Sequence, residues 1–411
     1  MTYTIVGGGF TGMASLARLS NEDAHLYEST SVLGGVHQDL IVNGHIFFSG
    51  CQYLDSPAIW QKYIDLNKLP CTKFTHTYGS YTDIFGLPTF SHEFGGPVYS
   101  SSELDFQLPI SVPGLSLFER IKSYPPPISQ GLNTWFESIG INTAVTHSSV
   151  AASFQASRVY CSQYSSELFQ LKSINPVIDN MFGLPRHWVG LKPLISYLPI
   201  SGYNNFFSHL SSIVGDTRTT LNTPVRPQIT DSLLQLNPSS SGHVPKCVIW
   251  TANPLPLIRE FNSKLRFTSR PFYAEIIVGF LSEQVTKPFY VQVFSSATSL
   301  LRIFVYNING RGCFTLEKAK SQECNSSIVK HAQHIFQEFM PVVFDSILYR
   351  KAEKRHYCFS VHDYQIINSF QSSDIANNLV LPNLLAYGRC PKIESIYSSL
   401  DSLCPNVDAH F

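Results

Sequence analysis

Glycines at positions 7, 9 and 12 stand between an apolar run, Thr4-Ile5-Val6, and a helix-forming segment, Met13 to Leu19. The spacing is G-x-G-x-x-G, placed between a strand and a helix. A backbone stripped of side chains can approach a pyrophosphate closely. The helix that follows offers its first N–H groups and its positive dipole end to the phosphates. Gly7 is expected to make the tight turn, Gly9 to admit the phosphates and Gly12 to let helix and strand pack, with Phe10 and Thr11 in the same loop. Glu28 closes the next apolar stretch, Ala24-His25-Leu26-Tyr27, where a carboxylate accepts hydrogen bonds from a ribose hydroxyl. Strand, glycines, helix, strand and acid in that order read as a dinucleotide-binding βαβ unit. The plain alternative is a glycine-rich turn with no ligand.

Other residues with chemical potential are scattered. Arg302 interrupts an apolar β-pattern, Leu300 to Val305, and needs a partner there: a bound phosphate, a cofactor, or water at a sheet edge. Tyr203 is either a site hydroxyl or a core aromatic. His187-Trp188 could stack on a base, although such a tryptophan is more often core. Arg266 and Arg270 read as surface charges. No H-E-x-x-H occurs among the 14 histidines, and the nine cysteines form no C-x-x-C or zinc spacing. No metal site is expected, and the thiols read as reduced in a cytoplasmic protein.

The elements that must position these groups follow from pattern and composition. With 411 residues, the length prior of about 150 per domain suggests two to three units. Net charge is zero, so nothing suggests a nucleic-acid or acidic-membrane partner. Hydrophobic content of 44% against 14% charged residues allows a large core. No apolar run is long enough to span a bilayer, and a strand beginning at Tyr3 leaves no room for a signal peptide. The periodicity predicts helices over 57–69, 128–185 in part, 204–213 and 326–344. It predicts strands over 217–225, 247–252, 272–280, 289–307 and from Leu379 to Tyr387. The expected class is α/β: a Rossmann-type domain (1–70 with 205–260 and 375–411), an antiparallel β-sheet substrate domain (71–127 with 261–374) and an inserted helical domain (128–204).

Glu28 is followed by a loop ending in Gly34-Gly35, and Gly44-His45-Ile46-Phe47-Phe48-Ser49-Gly50 then alternates into a further glycine. This extended pattern resembles the flavoprotein class of amine oxidases and sugar mutases, in which the Gly-Gly pair lies against FAD. Further along, Leu198 to Tyr203, Trp250-Thr251-Ala252-Asn253-Pro254, Leu300-Leu301-Arg302-Ile303 and Leu384 to Arg389 arrive in the order of the UDP-galactopyranose mutase branch, which the chain resembles distantly from end to end. The resemblance implies FAD, held by Gly7, Gly9, Phe10, Thr11, Gly12, Glu28, Gly34, Gly35, Val225, Gly388 and Arg389. It implies a nucleotide-linked sugar met by Arg302, Tyr203 and Lys392, with pyranose and furanose forms interconverted. The family keeps its flavin reduced and uses it as a nucleophile, so NADPH or a reduced flavin is an implied partner.

The chain departs from that family where its substrate is handled. A histidine beside the flavin is replaced by Gln52, which hydrogen-bonds but cannot titrate. An arginine a few residues before the family's Pro-x-Gly-Gly-Tyr is replaced by Leu194, with Lys192 near. The residues after Arg389 read Cys390-Pro391-Lys392. Three functions therefore compete: a mutase-like isomerase, an FAD oxidase or dehydrogenase removing a hydride from an amine or related molecule, and a flavin-binding scaffold without chemistry.

Overall fold

The computed structural model describes residues 3–54, 64–75, 78–84, 88–92, 115–124, 126–159, 174–175, 181, 195–230, 233–237, 245–371 and 378–381. The chain opens with β1 (Tyr3–Val6), every residue of it buried, then α1 (Phe10–Arg18) and β2 (Ala24–Tyr27). A hairpin follows, β3 (Asp39–Val42) and β4 (His45–Phe48). Its turn is Asn43-Gly44 at φ 50° and 78°, the pairing whose twist suits a two-residue connection. Next come a single 3₁₀ turn, Leu66–Lys68, then β5 (Cys71–Thr75), β6 (Tyr78–Thr82) and β7 (Thr89–His92).

Helices then dominate. α2 (Leu117–Lys122) starts from a capping box, with the Ser116 hydroxyl accepting the Glu119 N–H and the Glu119 carboxylate accepting the Ser116 N–H. α3 (Pro126–Ser138), α4 (Val150–Ser153) and a 3₁₀ turn, Ala156–Val159, bury Leu132, Trp135, Phe136 and Phe154 in one cluster. β8 (Ile195–Pro199) pairs antiparallel with β5. α5 (Tyr203–Val214) leads to β9 (Thr219–Thr220), then the hairpin β10 (Arg226–Thr230) and β11 (Leu233–Asn237), then β12 (Cys247–Trp250) and α6 (Leu255–Phe261). The long strands follow: β13 (Arg270–Leu281), β14 (Phe289–Phe294), β15 (Leu300–Ile308) and β16 (Arg311–Ala319). After α7 (Asn325–Gln337) and β17 (Phe344–Cys358) come α8 (Val361–Gln371) and β18 (Leu379–Val380).

Five strands form a parallel sheet in the order β18-β12-β1-β2-β9. Its centre is an unbroken apolar run, as a parallel sheet covered on both faces requires. The second large sheet runs β17-β13-β16-β15-β14-β6-β7. It was expected to be antiparallel and is mixed: β6 enters parallel to β14, with Val291 opposite Gly79. Other expectations are corrected too. The strand expected over 217–225 is a 3₁₀ turn, Asp216–Arg218, and the two residues of β9, because the chain breaks toward Pro224. The helix expected to reach Phe344 stops at Gln337, and Phe344 begins β17. Of the helix expected over 57–69, residues 64–69 are described, and there the chain forms only a 3₁₀ turn, Leu66–Lys68.

Candidate functional site

The turn after β1 is built around missing side chains. Gly7 sits at φ +105°, and Thr251 closes the turn from β12, its Oγ1 donating to the Val6 and Gly7 carbonyls at 2.9 and 3.0 Å. A Cβ on Gly12 would lie 1.9 Å from the Gly7 oxygen, so glycine there is a packing requirement. Gly9 is different. Its φ of −73° suits any residue, and an added Cβ would meet only Gly35 Cα at 3.7 Å and the Gly34 oxygen at 3.9 Å. Neither backbone nor neighbours demand glycine at position 9. Behind it, α1 carries no capping side chain and no acid in its first turn, which leaves the positive dipole end without a neutralising side chain of its own.

Gly34-Gly35 closes on this loop. The Gly34 N–H donates to the Gly8 carbonyl at 2.9 Å, and Gly9 bridges Gly34 in parallel. Both have positive φ, 120° and 60°. Phe10 turns inward against His37, Phe206 and Phe207, and the Thr11 carbonyl accepts the Ser15 hydroxyl at 2.8 Å. The buried Glu28 carboxylate stands beside the loop. One oxygen takes the Gly8 N–H at 2.6 Å; the other takes the Thr30 N–H and hydroxyl and the Ser29 hydroxyl. These hydroxyls can be exchanged for those of a ribose, whereas the Gly8 amide fixes the carboxylate against the loop. Val225 is half-buried and packs on the cluster containing Val6, Leu234 and Trp250.

The segment 48–54 is held from several sides by its backbone. Tyr306 Oη accepts the Phe48 N–H at 3.0 Å, Thr315 Oγ1 donates to the Phe48 carbonyl at 3.1 Å, and Glu317 Oε1 accepts the Cys51 N–H at 2.8 Å. Tyr203 Oη donates to the Gln52 carbonyl at 3.1 Å, and Leu54 exchanges two backbone bonds with Tyr197. Aromatic rings surround the segment: Tyr53 meets Phe74, Tyr290 and Phe304, and Phe48 meets Tyr203 and Tyr306. Burial drives the Tyr290 and Tyr306 phenols well above their ordinary range, so both stay protonated donors.

Arg302 is neither at a sheet edge nor facing water. It lies inside the mixed sheet, 6% exposed. Its guanidinium donates to Glu317 Oε2 at 3.0 Å, to the Ser153 carbonyl at 2.6 Å and to Gln292 Oε1 at 3.4 Å. All three of these acceptors belong to the protein. Arg158 lies over the Tyr290 ring at 5.9 Å. Tyr203 is a core aromatic, 1% exposed, whose hydroxyl faces Gln52. Arg266 and Arg270 are exposed. Gly388, Arg389, Lys392, Leu194, His187 and Trp188 lie outside the described residues. The structure thus gathers Gly7 to Gly12, Glu28, Gly34 and Gly35 at the end of the parallel sheet, and Gln52, Tyr203 and Arg302 around the 48–54 segment.

Two contributors were not anticipated. Glu317 is fully buried in β16, and Asp39 in β3 accepts the first N–H groups of α5, Tyr203 at 2.8 Å and Asn204 at 2.9 Å. Among the described residues no group of three or more His, Cys, Asp or Glu could hold a metal ion, and no helix is long and apolar enough to cross a membrane.

No protein-family model and no curated protein sequence matches the chain. Solved structures do. A reduced UDP-galactopyranose mutase superposes with a TM-score of 0.62 at 14% identity, covering 98% of this chain and 96% of its own. A putrescine oxidase variant gives 0.58 at 12%, covering 98% and 100%. Cyclohexylamine oxidase from Brevibacterium oxydans IH-35A gives 0.59 at 9%, covering 98% and 99%. The chain shares the fold of these solved structures, mutase and oxidases alike.

Proposed function

We propose that this chain is an FAD-dependent enzyme acting on a small molecule, and that it isomerises the ring of a nucleotide-linked sugar. The observation that carries the cofactor is Gly9, a glycine required by neither backbone nor packing, set at an uncapped helix start beside a buried acid. In this reading the N–H groups of α1 receive the pyrophosphate, Glu28 takes the ribose hydroxyls, and Gly34-Gly35 lets the backbone approach. Val225, Gly388 and Arg389 complete the cofactor site, and Lys392 contributes charge toward a diphosphate. Bound FAD supplies a nucleophile when reduced and a hydride acceptor when oxidised. The pinned 48–54 segment sets one wall of the reaction space. Gln52 orients through hydrogen bonds there and moves no proton. The isomerase reading rests on the motif order through Gly202-Tyr203 and requires a reductant such as NADPH or reduced flavin. The protein would work in the cytoplasm.

A second reading, an amine-class oxidase, is favoured by two observations. The Arg302 guanidinium is occupied by Glu317, Ser153 and Gln292, and the 48–54 segment is ringed by aromatic side chains.

The deciding experiment is an anaerobic flavin spectrum of the purified protein before and after dithionite, with sugar nucleotides added to each form and the sugars analysed. Ring-isomerised sugar formed only by the reduced protein is expected. Bleaching of oxidised flavin by an amine, recovered in air, would replace the isomerase with the oxidase.

A further inference from the structure

Arg302 and Glu317 are directly opposed in the β15–β16 hairpin, whose register runs back to the turn at Asn309-Gly310. Both side chains are buried, at 7% and 0% exposure, and they meet at 3.0 Å. A lone buried carboxylate is costly, and a cation at hydrogen-bond distance offsets most of that cost. The paired Glu317 then uses its second oxygen on the Cys51 amide at 2.8 Å, across 266 residues of sequence. Nothing in that bond depends on the identity of residue 51, because the donor is backbone. The Cys51 thiol adds a weak contact to the Thr315 carbonyl at 3.5 Å.

We propose that Glu317 is a positioning residue for the 48–54 segment and that Arg302 serves as its counter-ion, not as a ligand of the substrate. The proposal rests on the FAD reading for its consequence, since the segment forms a wall of the reaction space only if the cofactor binds. The chain of action runs from Arg302 through Glu317 to the Cys51 amide and so to Gln52. A charge-assisted bond to an amide is directional, so it fixes the orientation of the 50–52 backbone as well as its place. The Tyr203 hydroxyl on the Gln52 carbonyl holds the same stretch from the side of α5.

The test is a double-mutant cycle on the full chain with Glu317→Gln, Arg302→Met and the double variant, with Arg302→Lys as the conservative control. Three quantities are read: the urea midpoint of the cofactor-free protein, the visible circular dichroism and Kd of added FAD, and the Kd of UDP as a diphosphate probe. The double variant is expected to fall no further in midpoint than the worse single variant. Glu317→Gln and Arg302→Met are each expected to change the flavin dichroism and weaken FAD about tenfold, with Arg302→Lys recovering part of the signal. UDP affinity of Arg302→Met should be no weaker than that of Glu317→Gln. Additive midpoints with a wild-type flavin spectrum would overturn the proposal, as would a loss of UDP binding confined to the Arg302 variants. If wild-type protein takes up no FAD, the cofactor reading fails by itself, and the cycle on cofactor-free protein still decides whether Arg302 and Glu317 are coupled. Should Arg302→Met fail to fold, Arg302→Gln with Glu317→Gln provides the same cycle, since it too removes the cation.

Discussion

Gly9 and Gly12 belong to one motif but answer to different constraints. A methyl on Gly12 would collide with the Gly7 carbonyl, whereas one on Gly9 meets ordinary contact distances. Gly12→Ala is expected to destabilise the cofactor-free protein by about 1–3 kcal/mol through overpacking. Gly9→Ala should leave that stability within about 0.5 kcal/mol, as for a substitution that touches nothing critical, and lower FAD affinity at least tenfold. Chemical denaturation and flavin titration of both variants check this; equal FAD affinity in Gly9→Ala and wild type would remove the reason given for a glycine there. These residues were legible in sequence because their constraint lies within one βαβ unit: a turn, a helix start and, 20 residues beyond Gly8, an acid. Glu317 was legible in principle. The Asn309-Gly310 turn fixes the hairpin register, and counting outward from it places Glu317 opposite Arg302. The Cys51 amide as its donor partner was not legible, since no local pattern marks a contact spanning 266 residues.

At the level of elements, sequence reading succeeded where one periodicity ran unbroken and failed where tertiary contacts set the ends. α5 is found almost as expected, yet its start depends on Asp39. That carboxylate caps the helix from a separate hairpin, at a Gly202 with φ +92°, while burial pushes its pKa upward. The parallel entry of β6 beside β14 has no signature in either strand. The loop before α4 is tied to α8 through His147, whose N–H reaches the Phe359 carbonyl and whose ring stacks on Tyr364. Its Nδ1 accepts the Ser149 N–H at 3.1 Å, which requires the neutral ring, and burial lowers its pKa from the ordinary 6.5 to about 4. A histidine held neutral in the folded state contributes stability in full above pH 6.5 and loses it as pH falls from there toward 4. His147→Asn, which retains an acceptor for Ser149, should therefore flatten the decline of the urea midpoint across that window. An unchanged slope would show that His147 titrates alike folded and unfolded.

At the scale of the whole molecule, the parallel sheet is assembled from strands near residues 3, 24, 219, 247 and 379. The sheet that carries the Gly7 to Gly12 turn therefore depends on chain segments far apart in sequence, and such long-range pairing folds slowly. A ligand that binds only the assembled form stabilises all of it. FAD at about one hundred times its Kd should add about 2.7 kcal/mol, seen as a higher urea midpoint that depends on flavin concentration. A midpoint independent of added flavin would place the cofactor outside the folded cradle. The mixed sheet draws β6 and β7 from far upstream of its other five strands.

One edge of the parallel sheet has a consequence for how copies of the chain behave toward each other. β9 is two residues long, and Arg218 just before it spends its guanidinium on the carbonyls of Leu19, Glu22 and Ala24. A strand that short presents almost no row of open backbone groups, and the neighbouring carbonyls are already taken. Edge-to-edge joining of two such sheets has little to grip on this side. That edge thus offers little template for aggregation between folded copies.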